Sequence, residues 1–550
     1  MLPKRTNYYL LKILLGIFVF KNICHAQPLS DEAFDDILSE QPSHTLSPEI
    51  SPKAGCSDQD FNDLFSPLQI VEILTSPPIQ LQKILQLNLY GRTNPPITRA
   101  LHDLPSLILD LFHQSCSARC WSLLVQPFFN QTRKMYFTQN SSALSSYTTL
   151  LTQKEFLEII DEFEFSKINI PRVLSLFGTI SLEERRLGAL FALWNHHKRW
   201  TFSGALPIYY LEHNFFLNQQ AQRQLNNSAF ATDAGTVLPG INPDTFVNQH
   251  FINDRVGLGD LRIQIYYNIA PCDSSSNIDL GAQVTFPTAR TIRDGIIGGT
   301  FCKTRPRPTI DFTQMFRLFC GATVAQDRTS ALQLTELMVN YGIAAINTLT
   351  ANVADSPLGE QHYNLGPLFH IKKHIAGCIG FESYNELKYT IPGSEIRYFI
   401  VKKNSADFMR DYSSAADAVA NLTFLSEQAS NTLYPTAVCI TTRPGLIFKT
   451  TTALTILWHE KSQLSIGYDF WLQNREQLGS VHKRYTPGGP LNFAIGTKFA
   501  AHEGKIFGNL STLLCSTSRD IYIALRGDTT VQNKGIGRSF TISVAFGLDF

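Results

Sequence analysis

Several histidines lie beside carboxylates or in polar turns, where such side chains can act as general bases. The candidates are His459-Glu460, His482, the pair His196-His197 and His213. A hydrolase with the Gly-x-Ser-x-Gly motif places its serine on a strained strand-to-helix turn, and no such motif accompanies these histidines. The sequence therefore predicts no catalytic residues and a protein that is not an enzyme, with a hydrolase as the weakest alternative.

A metal site is the next possibility, because His370 and His374 have the spacing that brings two zinc ligands together on a helix. The surrounding stretch 369–380 instead has the pattern of a β-hairpin with Lys372-Lys373 at its tip. Four residues along a strand span roughly 13 Å, too far for one ion. No Rossmann or P-loop signature is present either. We expect no metal and no cofactor.

A different role is open to polar side chains that alternate with apolar ones over long stretches of the chain. In a closed barrel the polar half of each strand faces the interior. The candidates for such a lumen-facing surface are Arg262, Gln264, Asp279, Gln283, Asp469, Gln473, Arg475 and Lys498. Lys498 lies within the alternating stretch 491–499. Charges of both signs would set the local field and select among solutes. They could equally pair across the interior and brace the wall.

The elements that carry these side chains have the length of membrane strands. The alternating stretches run for about nine to eleven residues, enough to cross a bilayer when tilted, and Trp194, Trp200 and Trp458 lie near their ends. Charged residues are 17% of the 550-residue chain, below the roughly 25% of soluble domains. A soluble β-sandwich would alternate too, but its strands are shorter. The sequence predicts an all-β transmembrane barrel of about 12–14 antiparallel strands.

The C-terminal residues give the clearest strand of the chain. Six large apolar residues alternate with small or polar ones: Phe540, Ile542, Val544, Phe546, Leu548 and Phe550. A terminal strand of this kind that ends on an aromatic residue resembles the C-terminal signature of bacterial outer-membrane β-barrels. The resemblance implies that these six residues are an assembly signal for the machinery that inserts barrels into the outer membrane. It also implies that the barrel is in contact with outer-membrane lipid.

The N-terminal part has a different organisation. Residues 1–26 have a basic start, a short apolar stretch and a small-residue exit, as in a cleavable signal peptide. Residues 27–60 form an acidic, flexible leader, and 61–116 a helical periplasmic or plug region. The barrel is predicted over 117–550. Amphipathic stretches at 304–360 and 404–432 predict helical loop insertions, which could narrow the pore or cover its mouth.

A shorter resemblance concerns function. The stretch Val256-Gly-Leu-Gly-Asp-Leu261, with Gly281 to Pro287, resembles outer-membrane barrels that transport hydrophobic or aromatic solutes. It favours a porin-like channel of a Gram-negative outer membrane, for passive diffusion of small solutes. The alternatives are a structural or surface-interaction barrel with a plugged lumen and, less favoured, an outer-membrane hydrolase. With a formal net charge of +1 and no basic stripe, nucleic acid is not an expected partner; the sequence leaves the oligomeric state open.

Overall fold

A computed structural model describes residues 97–104, 120–133, 181–216, 254–270, 276–291, 358–399, 436–458, 461–482, 490–515 and 520–549, with isolated positions between 311 and 344. The predicted signal peptide, the acidic leader, most of 61–116 and the insertion at 404–432 lie outside the described residues. Within 304–360, isolated positions from 314 to 344 are helical, so the extent of that insertion stays a prediction. None of the described helices is long and apolar enough to cross a membrane.

Besides the isolated helical positions between 314 and 344, the described part contains seventeen strands and two very short helices. The strands are β1 Cys120–Arg133, β2 Ser181–His197, β3 Trp200–Phe216, β4 Asp254–Leu258, β5 Leu261–Asn268, β6 Ser276–Phe286, β7 Arg290–Thr291, β8 Asn364–Ala376, β9 Ile379–Thr390, β10 Gly393–Phe399, β11 Thr436–Arg443, β12 Ile447–Trp458, β13 Ser462–Gln473, β14 Gln477–Val481, β15 Ala501–Cys515, β16 Asp520–Lys534 and β17 Arg538–Asp549. The helices are the 3₁₀ helix Leu101–Asp103 and α1, Phe493–Gly496. The described part of the N-terminal region therefore gives no support to the packed helices predicted for 61–116.

Twelve strands form a closed ring, which confirms the prediction of an all-β barrel. Their order is β1-β2-β3-β5-β6-β8-β9-β12-β13-β15-β16-β17, and β17 pairs with β1 in antiparallel register, for example Phe129 opposite Ile542. The short strand β4 continues β5, and β7 continues β6. Closure leaves no edge in this ring, so every wall strand has two hydrogen-bonded neighbours.

The distribution of apolar side chains identifies the solvent outside the barrel. On β17, Ile542 is 53% exposed and Phe546 46%, whereas Ser543, between them, is 3% exposed. On β16, Leu525 is 53% exposed and its neighbour Arg526 only 6%. Apolar residues outside and polar residues inside reverse the order of a soluble sandwich. The fold is that of an outer-membrane β-barrel, a class of protein whose outward-facing band is apolar.

The two ends of the barrel differ. At one end, which we call the short-turn end, β17 finishes and short turns join β2 to β3 and β8 to β9. The second turn is at Gly377-Cys378, where Gly377 has φ +49°, a left-handed conformation that glycine adopts without strain. The sequence placed this tip at Lys372-Lys373, which is wrong: both lysines lie within β8.

At the opposite end, which we call the rim, several strands break at the same level. The breaks are at 259–260, 391–392, 444–446 and 474–476. Beyond them β10, β11 and β14 form a separate three-stranded sheet that continues β9, β12 and β13. Its core is Phe399, Val438 and Ile440, covered in part by Leu491. The predicted strand over 491–499 is wrong: this segment holds α1 and packs on the small sheet rather than joining the wall.

Candidate functional site

A short N-terminal segment lies inside the ring of strands. Residues Ile97–Leu104, which we call the lumen segment, contact the inner face of the wall at several points around its circumference. Ile97 forms an isolated parallel bridge with Ile536 and packs with Ile447 and Trp471 in a buried apolar cluster. The rest of the segment is held by side chains of the wall, described below.

The positive end of the lumen segment is Arg99. Its guanidinium forms one salt bridge with Asp469 of β13 and another, at 3.2 Å, with Glu503 of β15. Both carboxylates are almost completely buried, with 0% and 1% side-chain exposure. Thr451 also donates a hydrogen bond to Asp469 at 2.5 Å. The wall therefore offers a preformed pair of acceptors for one cation.

The negative end of the lumen segment is Asp103. Its Oδ1 forms a salt bridge with Lys388 Nζ of β9, and both side chains are buried. Lys388 also lies 3.3 Å from Glu386 Oε1, while Glu386 is bound at 2.5 Å by Arg262 of β5. The second oxygen of Asp103 is buried and has no hydrogen-bond partner among the described residues. The carboxylate thus depends mainly on Lys388.

Wall cations also satisfy the main-chain carbonyls of the segment. Arg186 Nη1 donates to the Arg99 carbonyl at 2.8 Å, Arg262 Nη1 to the His102 carbonyl at 2.9 Å, and Lys449 Nζ to the Leu104 carbonyl at 3.1 Å. A carbonyl left buried without a partner would cost about 1–3 kcal/mol. These contacts come from β2, β5 and β12, so they tie the segment to distant parts of the ring.

His102 is held in its neutral form. Its Nε2 lies at hydrogen-bond distance from the Asp260 carbonyl, which can only accept, so Nε2 carries the proton. Burial, with the nearby positive charge of Arg262, lowers the pKa of His102 to about 4. At neutral pH this imidazole therefore adds no charge to the lumen segment.

A cavity of about 10 Å³ lies beside the lumen segment, lined by residues that include Thr98, Asn130 and Arg186. That is room for about one water molecule. The lumen segment and the buried side chains that bind it therefore occupy part of the lumen at this level.

Below the segment, towards the short-turn end, the inner face stays polar. Tyr384 Oη donates to Glu386 at 2.8 Å and accepts from Arg262 at 2.7 Å. Nearer the turns, His370 Nδ1 lies 3.1 Å from Asp279 Oδ2, and His370 Nε2 lies 3.1 Å from Glu382 Oε1. His374 is exposed on the same strand, and no cluster of metal-ligating side chains occurs in the described part of the chain.

The predicted lumen-facing residues divide into two groups. Arg262, Gln264, Asp279, Gln283, Asp469 and Gln473 lie on the inner face of β5, β6 and β13. Asp469 binds the lumen segment directly, and Arg262 does so through a main-chain carbonyl. Arg475 and Lys498 do not line the ring. Both lie at the rim, where a break in strand pairing ends the alternation on which their prediction depended.

The rim positions have other contacts. Arg475 is exposed, with its guanidinium 5.4 Å from the ring of Phe499. The main-chain N–H of Lys498 donates to Glu476 at 2.5 Å. Glu476 in turn accepts from Arg397 at 3.2 Å. These groups fasten the segment over 490–500 to the small sheet.

The residues that hold the lumen segment are not among the predicted lumen-facing residues, apart from Arg262 and Asp469. Lys388, Lys449 and Glu503 are each buried to 1% exposure or less. The available signal was alternation: Glu386 and Lys388, and Glu503 and Lys505, are charges two apart in strands whose intervening residues face outwards. Arg99 and Asp103 gave no such signal, because they lie outside the strands.

The histidines considered as general bases make hydrogen bonds to hydroxyl groups where the structure describes them. His196 Nδ1 lies 2.9 Å from Thr201 Oγ1 across the β2–β3 turn. His482 Nε2 lies 2.8 Å from Ser394 Oγ on the exposed surface of the small sheet. His459 lies outside the described residues, and the side chain of His213 is likewise not described.

Comparison with known proteins gives no family. No family model and no curated protein matches the chain. Among solved structures, an outer-membrane channel from Pseudomonas putida F1 is similar at a TM-score of 0.37 and 7% identity, over 80% of this chain and all of that one. The Pseudomonas putida toluene transporter TodX follows at a TM-score of 0.27 and 7% identity, over 84% and 96%. The NanC porin has a TM-score of 0.23 and 7% identity, over 66% and 93%. Likeness this low carries no argument about substrate.

Proposed function

We propose that the protein is an outer-membrane channel for passive diffusion of small solutes, closed in this conformation by the lumen segment. The observation that carries the proposal is how the segment is attached. Twelve wall strands close on each other without it, whereas the segment contributes one isolated bridge and otherwise side-chain contacts. Its departure would open the lumen without breaking the strand pairing of the ring.

The same contacts favour the closed conformation. Removing one partner of a buried ion pair leaves an uncompensated charge, at a cost of about 3–5 kcal/mol. Departure of the segment removes Arg99 from Asp469 and Glu503, and Asp103 from Lys388. Water and ions must therefore enter as the segment leaves. We therefore expect the channel to open rarely. In the open channel, solutes diffuse through the electric field of the wall charges, and their passage needs no energy source.

A plugged scaffold is the second candidate, in which the outer membrane barrel presents loops to partners and never opens. It is favoured by the number of wall strands that bind the segment: β2, β5, β9, β12, β13 and β15. An outer-membrane hydrolase stays the least favoured alternative; its only described feature would be the Ser394–His482 contact. We expect Ser394→Ala to leave solute passage unchanged.

Single-channel recording in planar bilayers separates the two leading candidates. The full chain is compared with Arg99→Gln/Asp103→Asn, which removes both charges that the wall binds. Lys534→Gln is the matched control, because Lys534 is an exposed charge near the rim. A channel predicts rare steps in the parent chain and frequent steps of the same size in the double variant. The absence of current steps from all three proteins, once they are inserted in the bilayer, would refute the channel and favour the plugged scaffold.

A further inference from the structure

The wall groups that bind the two charged side chains of the lumen segment have opposite signs, although Lys505 also lies 3.8 Å from Glu503. The cations Arg262, Lys388 and Lys449 lie on β5, β9 and β12, with Glu386 between Arg262 and Lys388, and Glu360 also near Lys388. The carboxylates Asp469 and Glu503 lie together on β13 and β15. The lumen segment matches this arrangement, since Arg99 meets the carboxylates and Asp103 meets Lys388.

These groups form a built site rather than a solvated surface. Lys388, Lys449, Asp469 and Glu503 are all at most 1% exposed, and Arg262 is 5% exposed. Asp469 is positioned by Thr451, and Glu503 accepts hydrogen bonds from Thr530 at 2.6 Å and Ser539 at 2.8 Å. The two acceptors for a cation are therefore oriented by the wall itself and do not need the segment to hold them.

We propose that this place in the lumen binds zwitterionic solutes, small molecules that carry a guanidinium or ammonium group several ångströms from a carboxylate. The inference rests on the proposed function and specifies its substrate class. The segment is a tethered occupant with the same two charges, at Arg99 and Asp103. They are four positions apart in the sequence, so their α-carbons are at most ~14 Å apart.

A solute with both charges can replace Arg99 and Asp103 without leaving Asp469, Glu503 or Lys388 uncompensated. A guanidinium matches a pair of carboxylates in its planar fork, and a carboxylate matches Lys388. A solute with one charge satisfies one side only and leaves the other group unpaired. Because the segment is attached to the chain, its effective concentration is high. Binding of free solutes to the parent protein is therefore expected to be weak.

The test uses three probes that differ by one charged group: N-acetylarginine, N-acetylcitrulline with the carboxylate alone, and N-acetylagmatine with the guanidinium alone. Equilibrium dialysis with the folded full chain and the Arg99→Gln/Asp103→Asn variant gives the affinities. We expect the variant to bind N-acetylarginine at least tenfold more tightly than either single-charge probe, and tenfold more tightly than the parent chain does. Equal binding of all three probes, or none, overturns the inference.

Two further substitutions in the variant locate the binding groups. Lys388→Met is expected to abolish the preference for N-acetylarginine over N-acetylagmatine. Glu503→Gln is expected to reduce the preference over N-acetylcitrulline, and Lys534→Gln to change neither. Preferences that persist in the first two variants would also overturn the assignment. Dialysis does not require an open channel, so selective binding without conductance would support this site while refuting solute passage.

Discussion

Lys388→Met is the most informative single change in the lumen. In the parent protein Lys388 is the salt-bridge partner of Asp103, with both groups buried. The substitution leaves Asp103 as a buried carboxylate in the closed conformation, whereas a released segment takes it into water. A broken buried pair costs about 3–5 kcal/mol. At 1.4 kcal/mol per factor of ten, the ratio of closed to open channels should fall by roughly two to three and a half powers of ten.

A second substitution shows whether this loss belongs to the pair. In Lys388→Met/Asp103→Leu both charges are gone, and Glu386 keeps Arg262 at 2.5 Å. Replacing a whole buried pair by apolar side chains is often close to neutral. The double variant should therefore return to nearly the parent open fraction. Asp103→Leu alone should open the channel less than Lys388→Met, because Lys388 still has Glu386 at 3.3 Å.

The assay is the open fraction in planar bilayers, recorded for the parent and the three variants after circular dichroism has shown equal β-structure. Two results would refute the reasoning. One is an unchanged open fraction in Lys388→Met, which would mean that the pair does not hold the segment. The other is a double variant as open as Lys388→Met, which would mean that the lysine acts without Asp103.

Three further predictions concern pH, lipid and assembly. Burial and the charge of Arg262 lower the pKa of His102 from 6.5 to about 4 in the closed conformation. Between pH 6.5 and 4 the released segment therefore binds more protons than the closed one, so the closed conformation should lose up to ~3 kcal/mol of stability as the pH falls through this range. His102→Gln should remove this pH dependence of the open fraction. Leu525→Arg places a charge on the outer face of β16 and should lower the free energy of unfolding in liposomes by ~2–4 kcal/mol if the site lies near the bilayer midplane. Leu525→Ile is the control. Equal free energies of unfolding for the two variants would contradict a lipid-facing position on β16. Phe550→Asp should block membrane insertion while export continues, whereas Phe550→Tyr should insert normally; insertion of the Asp variant would refute the assembly signal.

The alternation of side chains was enough to predict the wall. It placed Phe540, Ile542 and Val544 on the outside and Arg262 and Asp469 inside, because a strand has a period of two and a barrel has only two surfaces. Strand pairing then follows from hairpin order. The ring could be predicted because the alternation within each strand is visible in its own sequence, and most wall strands pair with the next wall strand in the chain.

The same logic could not predict the occupant of the lumen. Arg99 meets Asp469 across 370 positions and Glu503 across 404, and no local period links them. The error at Lys498 has a related cause. The stretch 491–499 alternates like a strand, but it contains α1 and packs against β10 of the small sheet instead of pairing with a wall strand. Tertiary contacts outweigh the local pattern there.

The composition of the lumen bears on whether closure is permanent. Apolar side chains of similar volume could fill a barrel with equal or greater stability than buried ion pairs. The wall instead presents Arg262, Lys388, Asp469 and Glu503 to a segment with matching charges. Such contacts can be exchanged for water, ions or a charged solute, whereas an apolar core can be exchanged for none of these. A plug meant to stay needs no exchangeable contacts, so the charges of this lumen favour a segment that leaves.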